Sequence, residues 1–227
     1  MSAELKQNGE RLYRGLSWLV TLLVPVALVL SAMRLIMTPA FLRIEYNMPY
    51  FPVDRYGFTT QDRLYWSRFA LDYLVNSADI SYLGDLKFEN GEPIYNQREL
   101  GHMIDVKAAM RAALLAWYAS LVILLALGIW AWRGAWWQEY RTGLRRGGWM
   151  TAIGIGLIVF FVLVSFGVFF VAFHNVFFDA GTWIFKYSDT LIRLFPERFW
   201  QDIFIYVGVL SVVIGLVLAF GLRERRL

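Results

Sequence analysis

Apolar residues gather into four blocks, separated by polar stretches of very unequal length. The blocks run from Leu16 to Met37, from about Ala108 to Trp132, from Trp149 to Phe173 and from Ile203 to Leu222. At 1.5 Å of rise per residue the first makes roughly 33 Å of helix, enough to cross the hydrocarbon of a bilayer. A secretory signal is the rival reading of that block. Such a signal has a shorter apolar core and a small-residue cleavage site, which Ser31-Ala32-Met33 does not supply, so the block reads as an uncleaved helix with Arg34 snorkelling toward the interface. The pattern predicts a membrane all-α protein of four transmembrane helices carrying a small outward-facing α+β cap. The expected divisions are 1–38 for the N-terminal segment and first crossing, 39–107 for the cap, 108–132 for the second crossing, and 133–148 for a cytoplasmic loop. The third crossing then takes 149–173, an outer loop 174–202, and the fourth crossing with its tail 203–227.

The insert 39–107 is too long for a connector and too patterned for a linker. Thr59-Thr60-Gln61-Asp62 reads as a capping box ahead of Leu64, Phe69, Leu71, Tyr73 and Leu74, spaced for an amphipathic helix. Asp85 to Tyr95 reads as a hairpin, with Leu86 and Phe88 before an Asn90-Gly91 turn and Ile94 after it; Pro93 confines the second strand to an edge. Asn96 followed by Glu99 is a second helix-start signature, leading straight into the second apolar block.

Composition sharpens this picture. With 58% hydrophobic residues and a mean hydropathy of +0.47, the chain is more apolar than a soluble domain. It has no cysteine, which removes disulfides, thiol nucleophiles and thiolate metal sites. The net charge of +4 matters less than its placement. Lys6, Arg11 and Arg14 precede the first block; Arg133, Arg141, Arg145 and Arg146 lie between the second and third; Arg223, Arg225 and Arg226 follow the fourth. Four crossings put these three segments on one side, which the positive-inside rule makes cytoplasmic, and put the cap and the 174–202 loop outside. The Trp and Arg residues of 133–148 suit an interfacial belt and anionic lipid, not nucleic acid.

Only two histidines occur, His102 and His174. The first precedes the second crossing and the second follows the third, so both reach the outer membrane level. Glu99, His102 and Asp105, at steps of three, share one helical face, where a carboxylate can orient the imidazole. The bland reading makes each histidine an interfacial polar residue; the functional reading makes them a pair able to divide acid–base work and oxyanion stabilisation. Glu99-x-x-His102 also has the spacing of a carboxylate-bridged metal site, but with one further distant histidine no metal is assigned. No serine elbow, phosphate loop or dinucleotide fingerprint is present.

Tyr95-Asn96-x-Arg98-Glu99-Leu100-x-His102-Met103-x-Asp105-Val106-Lys107 resembles the segment before the second helix of a family of bacterial integral membrane proteins that includes lipoprotein intramolecular transacylase. Phe173-His174-x-x-Phe177-Phe178, Trp183-x-Phe185, Asp189-x-Leu191-Ile192 and Leu194-x-Pro196 resemble that family's second signature, while residues 39–85 match least well. The resemblance implies a cofactor-free acyltransferase of the cytoplasmic membrane with its site facing outward. Its substrate is a diacylated lipoprotein, held among membrane lipids. The sn-2 acyl chain of an S-diacylglyceryl cysteine moves to the cysteine's own α-amino group, giving a lyso-form product. His102 and His174 correspond to the family's two histidines. Glu99, Asp105, Arg98, Tyr95 and Asn96 are the implied supporting residues, and Phe178, Trp183 and Phe185 the implied substrate contacts. The role split then expected is His174 as base on the amine and His102, oriented by a carboxylate, as donor to the oxyanion or the glyceryl oxygen.

Two other readings stand beside this one: a membrane esterase using the same histidines with water, and a non-enzymatic assembly factor or transporter component. Transport calls for ionisable groups at mid-membrane. The third and fourth blocks carry none, and the second is uncharged from Ala112 to Trp132.

Overall fold

The structure is a computed structural model that describes residues 3–222, with side chains from Gln7 onward. Arg223, Arg225 and Arg226, the tail of the charge argument, lie outside the described residues, as does the side chain of Lys6. Nine helices account for the described regular structure: α1 (Ala3–Ile36), α2 (Pro39–Tyr46), α3 (Thr60–Val75), α4 (Ser81–Gly84), α5 (Gln97–Arg133), α6 (Trp137–Val164), α7 (Phe166–Phe177), α8 (Thr190–Leu194) and α9 (Glu197–Gly221). α1, α5, α6 and α9 are long and apolar enough to cross a membrane, which makes this a multi-pass membrane protein of all-α class.

The cap contains no strand among the described residues, so the expected α+β character is corrected to all-α. The Asn90-Gly91 turn does form, with Gly91 at φ 86° and its N–H donating to the Phe88 carbonyl at 2.9 Å. Beyond it the pairing stops at one isolated antiparallel bridge, Lys87 to Pro93, flanked by Phe88 N–H to Glu92 O and Ile94 N–H to Leu86 O. Pro93 has no N–H to extend the ladder, and two residues later Tyr95 leads into the cap of α5. Two other boundaries move. α6 begins at Trp137, inside the stretch read as a loop, and the third apolar block is broken at Ser165, so that His174 rides on the separate helix α7.

The chain divides into two compact units: Met1–Met33 with Leu114–Phe160 and Tyr206–Leu227, and Arg34–Ala113 with Phe161–Ile205. In the first, helices approach at backbone distance. A Cβ at Gly143 would sit 2.6 Å from the Ser17 carbonyl oxygen of α1, and one at Gly147 would sit 2.5 Å from Val24 Cβ. On another side of α6, Gly148 faces the Gly215 carbonyl of α9, where a Cβ would meet it at 2.5 Å. This small-residue spacing lets α1, α6 and α9 close on one another where lipid offers no hydrophobic drive between helices. The polar side chains there return to helix carbonyls: Ser17 to Glu139 at 2.7 Å, Thr21 to Ser17 at 2.9 Å.

The second unit is held by side chains. α3 starts on the expected capping box, with Thr59 accepting from Asp62 N–H and Asp62 accepting from Thr59 N–H. Its core joins Ala70, Tyr73, Leu83, Ile94, Tyr95, Leu100, Met103, Leu191 and Leu194. Arg63 of α3 donates to the Arg193 carbonyl at 2.9 Å, and Arg193 pairs with Asp54 at 3.1 Å. These bonds fix α8 and the loops around it, which carry half of the candidate site.

Candidate active site

The site is built where the two sequence signatures meet, all within the second unit. α5 starts on a reciprocal cap: Asn96 Oδ1 accepts from the N–H groups of Arg98 and Glu99, and Glu99 Oε2 accepts from Asn96 N–H at 2.8 Å. The other Glu99 oxygen accepts from the Leu191 N–H of α8 at 2.7 Å. Beside it Asp189 takes the Arg98 guanidinium at 2.9 Å, the Asn96 amide at 3.3 Å and the Lys186 N–H at 2.8 Å, while Thr190 donates to the Ile94 carbonyl at 2.6 Å. The start of α5 is thus bolted to the 186–191 segment by charge-assisted bonds, the stronger class of hydrogen bond.

One turn along α5, His102 enters an aromatic enclosure. Its ring centroid lies 4.9 Å from Phe178, 5.3 Å from Phe185 and 6.3 Å from His174. Arg98 lies over the Phe185 ring, its guanidinium carbon 5.6 Å from the ring centre. His174, in the last turn of α7, is flanked by Phe170 at 4.0 Å, Trp183 at 4.7 Å and Phe178 at 5.5 Å. Phe178 therefore touches both imidazoles. His174 Nδ1 lies 2.8 Å from the Phe170 carbonyl. A carbonyl only accepts, so Nδ1 carries the hydrogen and Nε2 keeps its lone pair, the tautomer a base needs.

Neither carboxylate expected beside His102 is bonded to it. Both Glu99 oxygens are spent on backbone N–H groups, and Asp105 faces outward into an open groove of about 360 Å³ that it lines with Ala108, Ala109, Val176, Phe177, Phe178 and Asp179. His102 Nδ1 is buried with no hydrogen-bond partner. Steps of three along a helix put side chains on one face, but a cap geometry turned Glu99 back toward its own N-terminus, and the spacing could not show that. Tyr95 stands in the core under the site, 2% exposed, its hydroxyl unpartnered and its pKa raised by burial. Among the described residues no group of three or more His, Asp or Glu is arranged to hold a metal ion. The sequence reading missed Phe170, which sets the His174 tautomer; its position four residues before His174 on a helix was the available signal.

The family model described as lipoprotein intramolecular transacylase Lit matches residues 17–200. An uncharacterized protein of Aquifex aeolicus (strain VF5) is 28% identical over 213 residues, 90% of this chain and 92% of that one. Among solved structures, the in meso structure of the membrane integral lipoprotein intramolecular transacylase Lit from Bacillus cereus is similar with a TM-score of 0.72 at 20% identity, covering 92% of this chain and 94% of that one. A histidine-to-arginine mutant of the Bacillus cereus protein is similar with a TM-score of 0.54 at 18% identity, covering 96% and 95%. At these identities the two structures speak for the fold.

Proposed function

The chain belongs to the lipoprotein intramolecular transacylase family and is a membrane acyltransferase, and we propose that His102 and His174 are the pair that carries the transfer. The reaction moves the sn-2 acyl chain of an S-diacylglyceryl cysteine to the α-amino group of the same cysteine. The observation that supports the assignment is the meeting of the chain's only two histidines, 6.3 Å apart between centroids, inside one aromatic enclosure.

Donor ester and acceptor amine sit on one molecule, so the site has to fold a substrate rather than gather two. The amine attacks in its neutral form and must shed a proton as it bonds to the acyl carbon, and His174 is the base that takes that proton, through the Nε2 freed by the Phe170 bond. Enclosure by rings with no carboxylate against it keeps that imidazole neutral. His102 lacks the carboxylate that would hold it as a cation, so it serves as a neutral hydrogen-bond partner to the reacting oxygens. Phe178, Trp183 and Phe185 shape the enclosure and exclude water, which would otherwise compete for the acyl group. Glu99, Asn96 and Arg98 act at one remove by fixing α5 against the 186–191 segment; Tyr95 supports that junction from beneath, and Asp105 borders the groove. The substrate is a diacylated lipoprotein presented from the bilayer, and the site faces outward from the cytoplasmic membrane, as the basic 133–146 segment favours.

The test is mass spectrometry of the N-terminal lipopeptide of a co-expressed lipoprotein. N-acyl, S-monoacylglyceryl product is expected from the wild type, and His174→Ala should lower its formation by about 10² to 10⁴ with the protein still folded. Unchanged product from both His174→Ala and His102→Ala at normal expression overturns the assignment, and release of free fatty acid without N-acylation points to an esterase instead. For the orientation, a cysteine at exposed Asn90 (Asn90→Cys) should react with an impermeant thiol reagent in intact cells; reaction only after lysis reverses it.

A further inference from the structure

Seven buried side-chain atoms lack a hydrogen-bond partner among the described residues: both oxygens of Glu45, Ser67 Oγ, Tyr95 OH, His102 Nδ1, Trp136 Nε1 and Trp183 Nε1. Native proteins leave few such atoms, and each calls for a reason. Two of the seven belong to the same enclosure. Trp183 lies 4.7 Å from His174, tilted by 38°, and 6.5 Å from Phe170; His102 shares Phe178 with His174. Trp117 and Trp136 differ. Trp117 donates to Ser31 Oγ at 2.9 Å, and Trp136 is sandwiched by Tyr13, Trp130 and Tyr140 far along the chain from either histidine.

We propose that the indole N–H of Trp183 is the donor that holds the oxyanion formed during acyl transfer. The inference rests on the functional reading above and adds a catalytic group to it. An indole N–H can only donate, so whatever completes it must accept. It is already buried, so it need not shed water when charge develops, which is the condition under which a fixed donor favours a transition state over a ground state. It stands against the one imidazole whose tautomer is set for a base. In the step itself, the amine nitrogen adds to the sn-2 ester carbonyl carbon, and the carbonyl π pair moves onto oxygen, where the Trp183 N–H receives it. His174 Nε2 takes the surplus N–H proton. The C=O bond then reforms, the bond from the acyl carbon to the glyceryl oxygen breaks, and that oxygen recovers the proton from His174. This leaves His102 to hydrogen-bond the departing glyceryl oxygen.

The test replaces Trp183 in the full-length enzyme with its benzothiophene isostere, which keeps the ring shape and removes only the N–H, alongside Trp183→Phe. Turnover of a synthetic diacylated lipopeptide is followed in detergent. Both variants should lose about 10² to 10³ in kcat, the usual cost of one oxyanion donor, with KM within about threefold of wild type. An isostere that turns over at the wild-type rate, or that raises KM at unchanged kcat, overturns the inference even if the phenylalanine variant fails to fold. A wild-type enzyme that leaves the lipopeptide unchanged overturns the functional reading, and this inference with it.

Discussion

The two units of the molecule hold together by opposite means. In the first, backbone meets backbone: Gly143 and Gly147 against α1, Gly148 against Gly215 of α9, with serine and threonine hydroxyls tied to helix carbonyls. In the second, side chains do the joining: Glu99 to Leu191, Arg98 to Asp189, Arg193 to Asp54, Lys107 over Tyr73 at 3.8 Å. Six of the seven unpartnered buried polar atoms lie in the second unit and one in the first. A membrane interior tolerates unsatisfied polar groups poorly, so the first unit is closed and chemically quiet. The second has enough polar contacts to stay fixed while leaving a few groups without partners, two of which, His102 Nδ1 and Trp183 Nε1, lie in the aromatic enclosure.

The sharpest way to break this comparison is at Gly147. A valine there places its Cβ 2.5 Å from Val24 Cβ and 2.9 Å from the Thr21 carbonyl oxygen, and neither can yield without moving α1. Gly147→Val should abolish the folded protein, seen as loss of the monodisperse peak in detergent and of all product formation. Overpacking of this kind costs more than the 1–3 kcal/mol of an ordinary overfilled core when backbone is the obstacle. A Gly147→Val protein with normal yield and turnover would mean that the first unit is not held by close backbone approach.

Most of this architecture was legible in the sequence, for physical reasons that can be named. The crossings were legible because lipid demands long uninterrupted apolar runs. The starts of α3 and α5 were legible because caps are local chemistry: Thr59 with Asp62, Asn96 with Glu99. The approach of His102 and His174 followed from placing both at one membrane level. The failures share a cause as well. Glu99 was expected to serve His102, but the same cap that the sequence announced turns its carboxylate away, and its second oxygen is claimed by Leu191, 92 positions along the chain. The hairpin was expected to carry strands, but an Asn-Gly turn specifies only the reversal, and Pro93 ends the ladder after one bridge. The glycines of α6 went unread because Gly143, Gly147 and Gly148 all lie in the 133–148 stretch expected to be a loop, outside any expected crossing.

A smaller effect sharpens the other side of the comparison, at a carboxyl pair in the second unit that the acyl transfer does not use. Glu45 of α2 is fully buried, with Asp202 and Arg198 at the start of α9 and Tyr46 as its charged or titratable neighbours. Arg198 donates to Asp202, and the Glu45 carboxyl has burial first and then the Asp202 charge favouring its protonated form. Its pKa is raised from 4.5 to about 7. The sign follows from proton binding. Between pH 4.5 and 7 the folded protein holds a proton here that the unfolded chain has released, so this group's contribution is complete below 4.5 and is lost as pH rises through 7. Glu45→Gln keeps a donor toward Asp202 and cannot titrate. Thermal unfolding in detergent should therefore show the wild type losing stability between pH 5 and 8 relative to the variant, by an amount on the order of a few degrees in Tm. The two should converge near pH 4.5, and turnover at neutral pH should stay within about twofold. Parallel Tm curves for the two proteins across that range would show that the buried proton is not there, and that the second unit, like the first, keeps α2 in place by packing alone.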